Sequence, residues 1–115
     1  MEMPYDTAQP DRAQIEALDG AVVLDFGTNW CGYCNRAKPL IAEAFAAEPA
    51  VRHIKVEDGS GRPLGRSFGV RLWPTLVLLR DGREVMRLVR PESARQVREA
   101  LALVLPAAVP KEAPD

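Results

Sequence analysis

The sequence predicts an α/β domain, a central mixed sheet of four to five strands flanked by helices on both faces. Three observations carry this. Short β-branched runs alternate with amphipathic helical stretches. The first two long strands are linked by a helical crossover, which makes them parallel, and the last two flank Asp81-Gly82, which makes them antiparallel. At 115 residues and 47% hydrophobic content, the chain suits one compact domain that buries one core without staples.

Residues 1–9 are a polar lead-in, readable as a short edge strand, and 10–105 form the domain. Residues 10–18 (P-D-R-A-Q-I-E-A-L) read as a short helix, with Pro near its first turn and Asp19-Gly20 closing it. Residues 21–26 (A-V-V-L-D-F) are apolar on both faces apart from Asp25, the pattern of a buried central strand. From 31 to 48, Ala37, Leu40, Ile41, Ala44 and Phe45 recur at spacings of three and four. A helix with one inward stripe follows, kinked rather than broken at Pro39 because the stripe continues beyond it.

Residues 51–57 alternate as a strand, Asp58-Gly59-Ser60-Gly61 is a loop, and a short helix covers 63–68. Residues 75–80 and 84–89 form a hairpin around Asp81-Gly82, a dipeptide suited to the positive φ of a tight turn. Ser93-Ala94-Arg95-Gln96 has capping-box spacing and opens a last helix with Ala94, Val97, Leu101, Val104 and Leu105 inward. Residues 106–115 carry too much proline and too little apolar surface to pack and read as a disordered tail.

A net charge of −1 with 27% charged residues places the chain among ordinary globular proteins and gives no reason to expect a nucleic-acid partner. Residues 1–58 hold five Lys/Arg against ten Asp/Glu and 59–115 hold ten against six, a split that folding can mix. There is no apolar run of roughly 18 residues and no basic-then-apolar N-terminal stretch. A cytoplasmic protein without membrane contact is expected, or a periplasmic one had an export signal been removed. In a reducing cytoplasm a lone cysteine pair points to chemistry rather than to a staple.

That pair, Cys31 and Cys34 in N-W-C-G-Y-C, stands at the start of the second helix. Unpaired backbone N–H groups and the positive end of the helix dipole favour a thiolate at Cys31, which makes it the nucleophile. Cys34, nearly one turn on and deeper, is the resolving thiol. The Cys31 thiolate attacks a substrate disulfide to form a mixed disulfide, and Cys34 then attacks Cys31 and releases reduced substrate. Asp25 is the second clue. A lone ionised carboxylate in a core strand is costly and drawn toward its neutral form, so near Cys34 it can take the thiol proton, through water. The bland alternative is a buried salt bridge between Asp25 and Lys55.

With these residues in order, the chain resembles the thioredoxin family over residues 10–105. The resemblance rests on Asp25-Phe26 ending a strand, Trp30-Cys31-Gly32-Tyr33-Cys34, Pro39 five positions after the second cysteine, Gly69-Val70-Arg71-Leu72-Trp73-Pro74-Thr75, and the Asp81-Gly82 hairpin. It implies a thioredoxin-like fold and a cis Pro74 beside the nucleophile, the alternative being a trans proline opening an edge strand. The backbone of Trp73 is then free to pair with an extended substrate segment. Trp30, Gly32, Tyr33, Trp73 and Pro74 are the expected substrate face, with Lys55 and Pro39 in support.

Three departures lie near that face: Gly27 where the family often has Trp, Tyr33 where its motif often has Pro, and Arg90 where Gly commonly closes the last strand. Tyr33 resembles members that act as oxidants or isomerases, and bulky Trp73 suggests a narrowed groove and a dedicated substrate. The expectation is a monomeric thiol-disulfide oxidoreductase, a reductase of protein disulfides. It is served by an upstream thiol reductant or reductase, with no cofactor beyond the Cys31–Cys34 disulfide. The alternatives are an oxidant or isomerase, or a non-catalytic binding module. Zinc needs about four ligands and the chain offers two cysteines and one histidine, so no metal is expected; His53, on a strand, reads as a surface residue.

Overall fold

The structure, a computed structural model, describes residues 4–105. The expected tail at 106–115 lies outside the described residues. From the N-terminus the elements are α1 (Arg12–Glu16), β1 (Ala21–Gly27), α2 (Gly32–Ala46), β2 (Arg52–Glu57), α3 (Pro63–Ser67), β3 (Thr75–Arg80), β4 (Arg83–Val89) and α4 (Ala94–Val104). The four strands form one sheet in the order β2-β1-β3-β4. β1 pairs parallel with β2 and antiparallel with β3, and β3 pairs antiparallel with β4. The mixed sheet expected from the connections is thus present.

β1 is buried at all seven positions, as its two-sided apolar pattern requires. Successive side chains of a strand point to opposite faces, so Ala21, Val23 and Asp25 share one face and Val22, Leu24 and Phe26 the other. On the first face Val23, Leu76 and Leu78 pack against Ala37, Ile41 and Ala44 of α2 and Val97, Leu101 and Val104 of α4. On the second, Val22, Leu24 and Phe26 meet Ile15 of α1 and Leu64 of α3. Strand periodicity alone therefore puts the Asp25 carboxylate in the layer beneath α2.

Local chemistry sets the element ends. α1 is shorter than the expected 10–18 because Asp11 caps it: its Oδ1 accepts the Gln14 N–H at 2.8 Å, and the Gln14 side chain accepts the Asp11 N–H at 2.8 Å. α2 starts after Cys31, its N-cap, and runs through Pro39 without a break. At the far end, the last carbonyls of α4, left without helical donors, accept from Arg80 at 2.7 Å (Leu103), 3.0 Å (Val104) and 3.1 Å (Leu105). Ahead of α1, Asp6 forms an isolated parallel bridge with Val56. Its N–H donates to Lys55 O at 3.1 Å, and its carbonyl accepts from Glu57 N–H at 2.9 Å.

The hairpin takes left-handed φ at both central residues, 51° at Asp81 and 81° at Gly82. Asp81 also ties the turn to the start of β1, its Oδ1 accepting the Gly20 N–H at 2.8 Å. A Cβ at position 82 would collide with the carbonyl of Glu16 at the end of α1. Gly82→Ala meets both strain and backbone contact, so we expect a loss of about 1–3 kcal/mol in urea unfolding. A change under 0.5 kcal/mol would show that α1 and the hairpin tip separate freely.

Candidate active site

Cys31 occupies the N-cap of α2 with extended backbone (φ −81°, ψ 123°), and its Sγ accepts the Cys34 N–H at 3.2 Å. One orphan donor of the helix start is thereby aimed at the sulfur. Both cysteines are free thiols. Cys34, three residues on, is 1% exposed against 8% for Cys31. Burial, then the hydrogen bond from Cys31, push the Cys34 thiol up to about 12, against the opposing pull of a Thr28 backbone hydrogen bond and the Tyr5 hydroxyl. Cys34 is therefore a thiol at neutral pH and cannot attack until something takes its proton.

The strand below supplies the candidates. Asp25 is fully buried; Tyr5 donates its hydroxyl to Oδ1 at 2.8 Å, and His53 Nε2 meets Oδ2 at 2.8 Å. Lys55, in register with Asp25 on β2, places Nζ 4.4 Å from the centre of the Tyr5 ring. Two expectations are corrected here. Asp25 is not a lone carboxylate in the core, since both oxygens have partners. His53 is not a surface residue: its side chain is 17% exposed and its ring stacks on Phe45 of α2 at 4.0 Å. His53 pairs with Val23, two residues before Asp25 on the same face, so its ring is carried under α2.

Tyr5 comes from the lead-in, where its main chain is clasped by Asn29, whose Oδ1 accepts the Tyr5 N–H at 2.8 Å. Its ring fills the hollow left by Gly27. A Cβ on Gly27 would lie 2.6 Å from Cys34 Sγ, 2.7 Å from Tyr5 Cζ and 2.8 Å from the Tyr5 hydroxyl. Burial, followed by the charge of Asp25, raises the Tyr5 phenol above its ordinary range. Gly27 is the one sequence signal that pointed here: a position short of a large side chain needs a filler from elsewhere.

The rim around Cys31 is aromatic. Trp30 is 74% exposed and Tyr33 48%, and the Trp30 ring meets Trp73 edge to face at 5.7 Å. Gly32 is exposed beside them. Trp73 packs against Tyr5, Cys31 and Cys34, and its Nε1 donates to Asp58 Oδ2 at 2.8 Å. The Trp73–Pro74 peptide is cis. The expectation of a free Trp73 backbone needs correction at its carbonyl, which accepts Arg90 Nε at 2.8 Å. Arg90 holds a left-handed φ of 52°, its N–H donates to Pro74 O at 2.8 Å, and its guanidinium lies 3.6 Å from the centre of the Tyr33 ring. The arginine at this usual glycine position is anchored by three contacts with the site. Among the described residues no group of three or more His, Cys, Asp or Glu is arranged to hold a metal ion.

A helix-capping thiol above a buried one, a core carboxylate beneath, and a cis proline alongside can exchange disulfides in two steps. Comparison with known proteins agrees. The family described as Thioredoxin matches residues 6–102. A thioredoxin of Chlamydia muridarum is 47% identical over 72 residues, 61% of this chain and 69% of that protein. A thioredoxin of Alicyclobacillus acidocaldarius is 33% identical over 90 residues, 76% of this chain and 84% of that one. The solved structure of thioredoxin 2 from Pseudomonas aeruginosa PAO1, in its reduced form, superposes with a TM-score of 0.82 at 53% identity, covering 90% of this chain and 96% of that chain. The chain belongs to the thioredoxin family of thiol-disulfide oxidoreductases, with Cys31 and Cys34 as its Cys-x-x-Cys pair.

Proposed function

We propose that the protein is a reductase of protein disulfides with a dedicated substrate. Cys31 attacks, Cys34 resolves and Asp25 receives the proton; Trp30, Gly32, Tyr33, Trp73 and Pro74 meet the substrate, while Lys55 and Pro39 support the site. The observation that supports this division of labour is the asymmetry of the pair, with one sulfur taking a backbone N–H at a helix start and the other buried as a thiol over β1. An upstream thiol reductant or reductase restores the dithiol, and no metal or further cofactor takes part. The protein works as a monomer in the cytoplasm; no helix among the described residues is long and apolar enough to cross a membrane.

Arg90 supports a dedicated substrate. An extended peptide pairing beside the cis proline must displace Arg90 Nε from the Trp73 carbonyl or approach without that bond. The guanidinium over Tyr33 also places a fixed positive charge on the rim.

Equilibration against glutathione couples tests the direction. A reductase requires a potential at or below about −260 mV, whereas a value above about −180 mV would make the protein an oxidant or isomerase. Arg90→Gly tests the groove. A hydrogen bond of about 0.5–1.5 kcal/mol is removed, so KM for insulin disulfides should fall about two- to tenfold. Reactivity toward a small disulfide should not change. An unchanged or raised KM would refute the proposed role of Arg90 at the groove.

A further inference from the structure

The proposed cycle leaves one step without a partner in contact. Cys34 must lose its proton as it attacks, yet the Asp25 oxygens are engaged by Tyr5 and His53. The Tyr5 hydroxyl lies between the two groups. It donates to Asp25 Oδ1 at 2.8 Å, and it and Cys34 Sγ press on the same point above Gly27, 2.8 and 2.6 Å from where a Cβ would stand. A phenol that gives its single proton to a carboxylate keeps lone pairs with which to accept a thiol proton.

We infer that Tyr5 is a catalytic residue of the resolving step, its hydroxyl passing the Cys34 proton to Asp25. In the mixed disulfide the Cys34 S–H proton moves to the Tyr5 oxygen while the Tyr5 proton moves to Asp25 Oδ1. The sulfur electron pair forms the Cys34–Cys31 bond, the bond from Cys31 to the substrate sulfur breaks, and its pair leaves as substrate thiolate. Two protein thiols are oxidised and one substrate disulfide is reduced. When an upstream dithiol reopens the Cys31–Cys34 bond, the same path run backwards, from Asp25 through the Tyr5 hydroxyl, returns the proton to Cys34.

Several features favour a relay over mere filling of space. Tyr5 is 4% exposed and held at its main chain by Asn29 and, through Asp6, by β2, so its hydroxyl is fixed rather than swinging. His53 holds Oδ2, leaving Oδ1 to face the phenol. The charged and titratable groups around the phenol are Asp25 on β1, His53 and Lys55 on β2, and Cys31 and Cys34 at the head of α2. Burial raises Cys34, so an acceptor is needed at neutral pH.

The relay deepens the proposed cycle and rests on it, and the test separates the two. With 5,5′-dithiobis(2-nitrobenzoate) in stopped flow, the first thionitrobenzoate reports attack by Cys31 and the second reports resolution by Cys34. Absence of the first phase in the native protein would refute the cycle itself. Tyr5→Phe keeps the ring in the Gly27 hollow. It should leave the first phase within twofold and slow the second on the order of ten- to a hundredfold. The second phase should then rise about tenfold per pH unit between pH 6 and 9, as hydroxide takes over from the relay. Asp25→Asn should do the same, and the double variant should be no slower than either single one. In the native protein, the second-phase rate against deuterium fraction should bow as two protons in flight require. A straight or flat plot, or Tyr5→Phe with an unchanged second phase and pH profile, would overturn the relay.

Discussion

The contact between the first turn of α2 and the end of β1 governs the site. β1 is buried on both faces, and its alternation delivers Asp25 to the layer beneath the helix. Cys34 is pressed onto the strand at Gly27, where the missing side chain lets sulfur and phenol come together. The same seating leaves Cys31 at the helix cap, its sulfur taking a backbone donor. Two identical side chains thereby acquire different surroundings, on which the proposed division of labour rests. A thiol raised by burial, as Cys34 is, is a poor first nucleophile but a protected second one.

The rim is built from different forces. Trp30 and Trp73 meet edge to face, and Arg90 links this pair to Tyr33 by bonding the Trp73 carbonyl and covering the Tyr33 ring. The left-handed φ at Arg90 is costly for a residue with a side chain, so the arginine is held by what it touches. Asp58 fixes the Trp73 indole from behind, and a Cβ at Gly65 would run into that carboxylate, so α3 is shaped around the same support.

Features encoded over short spans were legible in the sequence. The buried central strand follows from A-V-V-L-D-F, the hairpin from Asp-Gly, and the cysteine pair and its helix from spacing and stripe. What was not legible depends on residues far apart in the chain. His53 looked like a surface residue because a strand pattern does not reveal which helix will cover it; Phe45 and Asp25 do. The lead-in looked polar, yet it carries Tyr5 to a hydroxyl bond with a residue 20 positions away. Arg90 read only as a missing glycine, since its bond to Trp73 spans 17 residues and exists only once β3 and β4 have paired. Helix bounds moved for a smaller reason, with Asp11 taking the cap and leaving Pro10 outside α1.

Mapping the sulfur that carries the substrate tests this division of labour most directly. Reduced Cys34→Ser and Cys31→Ser proteins would each be reacted with a disulfide-bonded peptide and the covalent product located by mass spectrometry. The account predicts a persistent mixed disulfide on Cys31 when Cys34 is absent, and no product at neutral pH when Cys31 is absent. Equal trapping on Cys34 would contradict it, for it would mean that burial over β1 does not silence the second thiol.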